Sequence, residues 1–211
     1  MCEMRRPKFL GLSCPMIEIQ TRSISIHPKK MRMMKEEWMK IYTPIVEICK
    51  IQIRMNIKGR CVEMRTCEHT EDPSYLERSA QYIEAVSIGF PIDDAIAILK
   101  FSDVFLDRFE ISEVKTLRGL HVERAVGRII GREGKTKDAI EEFSRSKIIV
   151  QEQMIHFLGT IENIRIAKDA VCRLIMGSQP GSIFNRLRII NSRLKEKYGG
   201  IQTIYNEFEK R

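Results

Sequence analysis

The chain has 211 residues, with 36 Lys and Arg against 28 Asp and Glu, a net charge of +8 and a pI near 9.2. With 43% apolar and 30% charged residues it can bury a real core, which excludes disorder throughout, and the length fits one or two domains of roughly 100–150 residues. The longest stretch free of Asp, Glu, Lys and Arg is the 12 residues Leu174–Asn185, short of the roughly 20 apolar residues of a membrane span, and the first residues hold no secretory-type apolar run.

The first predicted element is a strand within Ile17–Ile26. Glu36–Cys49 has Trp38, Ile41, Ile45 and Ile48 at helical spacing, with a kink expected at Pro44. Lys50–Asn56 alternates polar and apolar residues, the mark of a strand with one buried face. Asn56-Ile57-Lys58-Gly59 can turn, and Cys61–Cys67 can return with Val62, Met64 and Thr66 on one side. Asp72-Pro73-Ser74 then starts a helix that carries Leu76, Ala80, Ile83, Ser87 and Phe90 on one face.

A helix beginning at Pro91-Ile92-Asp93-Asp94 is expected to connect this unit to a second one. The second starts with a strand at Phe105–Val114 and a short helix at Val122–Ile130. Gly131-Arg132-Glu133-Gly134 interrupts, and Ala139, Ile140 and Phe143 mark another short helix. Lys147–Gln151 and Met154–Leu158 form a hairpin, and Thr160 caps a long helix with Ile161, Ile164, Ala167, Val171, Leu174 and Ile175 on one side. After Gly177-Ser178-Gln179-Pro180-Gly181, Ser182 opens a last helix with Ile183, Leu187, Ile190, Leu194 and Tyr198. Helix, hairpin and helix thus occur twice, 97 residues apart if Lys50-Ile51 is laid on Lys147-Ile148. The fold class expected is α/β (α+β), with two copies of a three-stranded sheet covered by three helices.

Charge is unevenly spread. Residues 1–40 carry net +5, residues 71–114 net −7, residues 115–145 net +3 and residues 171–200 net +5. The basic stretches suit a polyanion, and the acidic one is a place to look for a protein partner. Cys2, Cys14, Cys49, Cys61, Cys67 and Cys172 form no C-x-x-C pair and read as reduced thiols. Cys61, Cys67 and His69 lack the second pair a zinc site needs, so no metal and no cofactor are expected. His27, His69, His121 and His156 are scattered, and a packed His156 fits its strand better than a catalytic one.

Ile129–Lys137 is the most informative segment. Two glycines three apart join two helices, and the second helix offers free N–H groups and a positive dipole end beside Arg132, Lys135 and Lys137. Gly134-Lys135-Thr136 ends like a phosphate-binding P-loop, but that motif needs glycine where Ile129 stands. A plain helix–turn–helix junction is the bland alternative. The order around the loop, with Ile130 before it and a hairpin and long helix after it, favours the G-x-x-G loop of a KH domain, which clamps about four nucleotides of single strand. Lys137 departs from the usual pattern, which is apolar there, and Glu133 puts an acid in the loop. In the first copy the equivalent junction falls near Met34-Lys35-Glu36-Glu37 and has no glycine, so that copy is expected to lack the clamp.

The sequence resembles the partner-of-Nob, or Dim-two, family of KH-domain ribosome-assembly factors. The resemblance is carried by Trp38-Met39-Lys40-Ile41-Tyr42 with Pro44, Ile53-Arg54-Met55-Asn56, Gly89-Phe90 and Asp93-Asp94-Ala95-Ile96-Ala97. It continues through Lys115-Thr116-Leu117, Arg124–Ile129, Gly134–Lys137, Ile155–Gly159, Gly177–Gly181 and Ser192–Tyr198. It implies two tandem type I KH-like domains, only the second with G-x-x-G, plus a basic C-terminal helix. The expected layout is a tail at 1–16, a first domain at 17–90, a connecting helix at 91–102, a second domain at 103–178 and the basic helix and tail at 179–211. It implies binding of small-subunit pre-rRNA near the 3′ end of the small-subunit rRNA, and partnership with a Nob-type endonuclease, other assembly factors and ribosomal proteins. No enzyme activity and no membrane association are implied. The localisation implied is nucleolus and nucleus, with shuttling to the cytoplasm. The N-terminus is short and basic where relatives often carry a longer, partly acidic extension.

Gly131, Arg132, Gly134 and Lys135 are expected to hold the RNA backbone, with Ile130 beside the loop and Arg128 and Lys137 flanking it. Arg186, Arg193 and Lys197 share one face of the last helix and form a second candidate contact, although charges on a helix face are ordinarily just solvated. The alternatives are a KH-fold protein-interaction scaffold, a general single-stranded RNA-binding regulator, and an enzyme of nucleotide chemistry.

Overall fold

The computed structural model describes residues 19–67, 69–70 and 72–193. β1 (Thr21–Ser25) leads into α1 (Pro28–Glu36) and α2 (Trp38–Pro44), and a π-helical turn at Ile45–Cys49 follows. β2 (Gln52–Asn56) and β3 (Cys61–Arg65) form a hairpin, and α3 (Ser74–Ile88) closes the unit. α4 (Ile92–Lys100) comes next. The order then repeats with β4 (Val104–Glu110), a short α5 (Ile111–Val114), α6 (Leu120–Ile130), α7 (Lys135–Ser144), β5 (Lys147–Gln151), β6 (Met154–Thr160) and α8 (Ile161–Met176). A last helix, α9, begins at 180 and runs through 193. Each sheet is antiparallel with the hairpin's second strand in the centre, β1-β3-β2 and β4-β6-β5.

Several expectations shift by a few residues. Lys50 is not in the strand: it takes a left-handed conformation (φ 52°, ψ 40°) that ends the helical run, and β2 starts at Gln52. Arg145 has the same angles just before β5. The two hairpin entries therefore correspond at 52 and 147, an offset of 95 residues rather than 97. The strand expected to reach Val114 stops at Glu110, because Glu110 and Glu113 form a reciprocal capping box that starts α5. α3 begins at Ser74, and Asp72 accepts the Ser74 N–H at 2.8 Å, so the expected cap is made from one residue further out. Ile161, expected on the apolar face of α8, is 67% exposed. Ile17 and Glu18, expected in the first strand, and Leu194 and Tyr198, expected in the last helix, lie outside the described residues.

Packing follows from strand alternation. Val62, Met64 and Thr66 are buried under the first unit's helices. In the second unit Ile148, Ile155 and Phe157 face α6, α7 and α8, with Ile129, Ile140, Ala167, Val171 and Leu174 opposite. The alternate residues point the other way. Leu158 belongs to the first unit's core, and Val104, Leu106 and Ile149 pack against it. The second sheet is thus covered on both faces, by its own helices and by α3 and α4. Glu84–Arg108 at 3.0 Å and Asp94–Lys147 at 3.5 Å tie the rim of that junction.

Candidate nucleic-acid interface

α6 is amphipathic: Ala125 and Ile129 enter the core, while Arg128 stays on the surface and Ile130 is 37% exposed. The helix stops at Gly131, whose N–H still donates to Gly127 O at 2.8 Å. Arg132–Gly134 make one tight 3-10 turn, and α7 starts at Lys135. The two glycines are needed for different reasons. Gly131 has φ 75°, and a Cβ there would collide with the Thr136 side chain and stand 3.0 Å from the Thr136 backbone N. Gly134 has φ 79°, and a Cβ there would make only an ordinary contact with Asp138 Oδ2 at 3.6 Å, so only its left-handed backbone asks for glycine. Glu133 is also left-handed, at φ 56°. No side chain caps α7, which leaves its first-turn amides and dipole end to an anion.

The cations around the loop differ in freedom. Arg132 is exposed, and Lys135 pairs with Glu133 at 2.7 Å. Arg128 Nη1 lies 3.6 Å from the position of a Cβ on Gly177, so this guanidinium reaches across to the segment before α9. Lys137 pairs with Glu141 at 3.4 Å, and Glu141 also accepts the Ile148 N–H of edge strand β5 at 2.7 Å. An apolar residue at position 137 would leave that carboxylate without its cation.

On α9, Arg186 pairs with Asp169 of α8 at 3.3 Å, so this member of the expected basic face is partly neutralised. Arg193 is exposed, and Lys197 lies outside the described residues. Ile183 and Leu187 bury this helix against the second unit's core. In the first unit the junction of α1 and α2 falls at Glu37, inside the segment predicted for it, and has no glycine.

Two loop-supporting residues carry little sequence signal. Thr136 is buried against Gly131, which nothing in a G-x-x-G pattern announces. Glu141 stands four residues after Lys137, a spacing that suggests a helical ion pair but not a strand cap. Four of the ten acids of segment 71–114 are ion-paired within the chain. Glu77, Glu84, Asp94 and Asp107 pair with Arg22, Arg108, Lys147 and Lys168. Among the described residues no cluster of three or more His, Cys, Asp or Glu could hold a metal ion. His156 is 5% exposed, and burial and the nearby Arg108 charge lower its pKa.

Residues 108–192 match the eukaryotic type KH domain, type I, and residues 25–101 match the Krr1 first KH domain. Fold and loop together define a tandem KH protein with one glycine-bearing loop. The chain is 43% identical over 198 residues to the pre-rRNA-processing protein PNO1 of Candida albicans, covering 93% of this chain and 72% of that one. It is 43% identical over 197 residues to PNO1 of Saccharomyces cerevisiae, covering 92% and 72%. The chain belongs to this PNO1 family of KH-domain pre-rRNA-processing proteins. Among solved structures, Dim2p of Pyrococcus horikoshii superposes with a TM-score of 0.70 at 25% identity, over 80% of this chain and 98% of that one. The same archaeon's a/eIF2alpha–aDim2p–rRNA complex contains a chain with a TM-score of 0.73 at 24% identity, over 84% and 97%, a likeness of fold.

Proposed function

We propose that this protein binds small-subunit pre-rRNA near the 3′ end of the small-subunit rRNA and serves there as an assembly factor beside a Nob-type endonuclease. The observation that carries this reading is the built loop at 131–134, where two left-handed glycines bring backbone amides and the start of α7 to the surface next to Arg132 and Lys135. Relatives named for pre-rRNA processing, and a fold neighbour crystallised with rRNA, support rRNA as the polyanion.

Gly131 and Gly134 let the sugar–phosphate backbone approach, and Arg132 and Lys135 meet its phosphates. Ile130 offers an apolar surface beside the loop. Arg128 flanks the clamp, Lys137 acts mainly through Glu141, and Arg193 of α9 extends the contact together with Lys197, with Arg186 held back by Asp169. One helix terminus contributes only about 0.3–1 kcal/mol, so stacking and several phosphates must share the binding. The role is binding rather than catalysis, in nucleolus and nucleus, with passage to the cytoplasm on the pre-ribosome, among other assembly factors and ribosomal proteins.

The test is ultraviolet crosslinking in cells followed by sequencing of the attached RNA. Reads are expected to cluster at the 3′ end of the small-subunit rRNA and to fall away in a Gly131→Asp/Gly134→Asp variant. A pattern spread evenly over cellular RNA would favour a general single-stranded RNA binder. Capture of the nuclease without RNA, and equally by that variant, would favour a protein scaffold.

A further inference from the structure

A groove of about 900 Å³ runs between the two units, opposite the helices that carry the glycine loop. One wall is β1 and the start of α1; the other is β4 and the β5–β6 turn. Four cations line it, Arg22, Lys29, Lys30 and Arg108, against two acids, Glu84 and Glu152. Glu84 is already paired with Arg108, and Arg22 is paired with Glu77. Lys30 Nζ lies 3.0 Å from the position of a Cβ on Gly89, over the C-terminal end of α3. Lys29 is exposed and forms no ion pair with any described residue.

His156 lines the same groove. It sits in the middle of the second sheet, opposite Arg108 and Ile149, on the face turned to the first unit. Its residue is 5% exposed and its Nδ1 has no hydrogen-bond partner. That nitrogen is closed off from solvent, so His156 shapes the groove and an incoming chain does not reach its Nδ1. Gln151, the last residue of β5, and Glu152, in the turn after it, line the groove, and the other end of that strand receives Glu141.

We infer that the inter-unit groove is a second phosphate-binding path, which takes a single-stranded RNA onward from the glycine loop. Its cations are Lys29 and Lys30, with Arg108 bound to Glu84 beside them. The first unit, without a glycine loop, then contributes to RNA binding through the start of α1. This rests on the reading of residues 131–134 as a clamp.

Anisotropy titrations with random-sequence RNA pools of about six and about sixteen nucleotides test it, the shorter barely exceeding the ~4 nucleotides of one KH clamp. Lys29→Glu/Lys30→Glu is expected to bind the short pool as the unaltered protein does and the long pool about tenfold more weakly. Its log affinity against log salt on the long pool should be shallower by about 1.4, the loss of two single-strand phosphate contacts. The milder Lys29→Gln/Lys30→Gln should show the same pattern in reduced form. Unchanged long-pool binding, or equal weakening on both pools, overturns the proposal. Gly131→Asp/Gly134→Asp separates the two readings: if it weakens both pools while the lysine variants do nothing, the clamp stands and the groove falls. If no variant weakens either pool, both fall.

Discussion

The Glu141 carboxylate accepts the Ile148 N–H at 2.7 Å while holding Lys137 at 3.4 Å. α7 thereby satisfies a backbone donor that edge strand β5 would otherwise leave open. Glu141→Ala should cost about 1–2 kcal/mol, since hydrogen bonds to charged groups are worth more than neutral ones. Glu141→Gln keeps an acceptor and should cost less than half as much. Urea denaturation of both variants measures this, and equal losses would mean that the Lys137 ion pair, not the strand cap, is what matters.

The glycines should not be equivalent. Gly131→Ala must accept a left-handed backbone and displace Thr136, whereas Gly134→Ala meets only the backbone cost. That cost is about 1–2 kcal/mol for a non-glycine residue. Gly131→Ala should therefore destabilise clearly more than Gly134→Ala in thermal or urea unfolding. The reverse order would contradict the packing of Thr136 against the loop.

His156 gives the protein a pH dependence. Its pKa is lowered in the fold by burial and by the nearby Arg108 charge. The unfolded chain, with a pKa near 6.5, then takes up the proton first. Stability from this residue is complete above about pH 7 and is lost as pH falls below about 6.5 toward the lower folded value. His156→Gln should flatten the change in urea midpoint between pH 7.5 and 5.5. If the variant keeps the full slope, other groups account for it.

The two units should be coupled by apolar packing more than by charge. Asp94→Asn and Glu84→Gln break exposed ion pairs of the kind usually worth about 0–1 kcal/mol. Leu158→Ala empties a 4% exposed site that joins β6 to the first unit's core, and should cost about 2–5 kcal/mol. Unfolding followed by Trp38 fluorescence and by far-UV circular dichroism should coincide in the charge variants and separate in Leu158→Ala. Coincident curves for Leu158→Ala would mean the junction does not depend on that side chain.

Much of the fold was legible because the second unit's hairpin and long helix carry strong periodicity. The loop was legible from its surroundings: Gly131 and Gly134 alone fit any tight turn, but Ile130 before them and a hairpin and long helix after them fit one fold. What escaped was set by partners distant in sequence. Lys50 reads as the first residue of an alternating strand, yet the helix before it needs a left-handed exit. Leu158 and Ile149 alternate correctly within their strands, but no pattern tells that their face meets another unit rather than water. Arg186 looks like a free basic residue until α9 lands beside Asp169.

Glu133, left-handed and one residue before Gly134, lays its carboxylate on Lys135. The loop thus carries a built-in counterion. A phosphate arriving at Lys135 displaces a tethered carboxylate rather than a mobile salt ion, so less of its binding comes from ions released to solution. As an RNA clamp, such a loop would trade strength of grip for selectivity: a passing polyanion would gain little from it, and a strand whose bases also find their places would gain enough to push Glu133 aside.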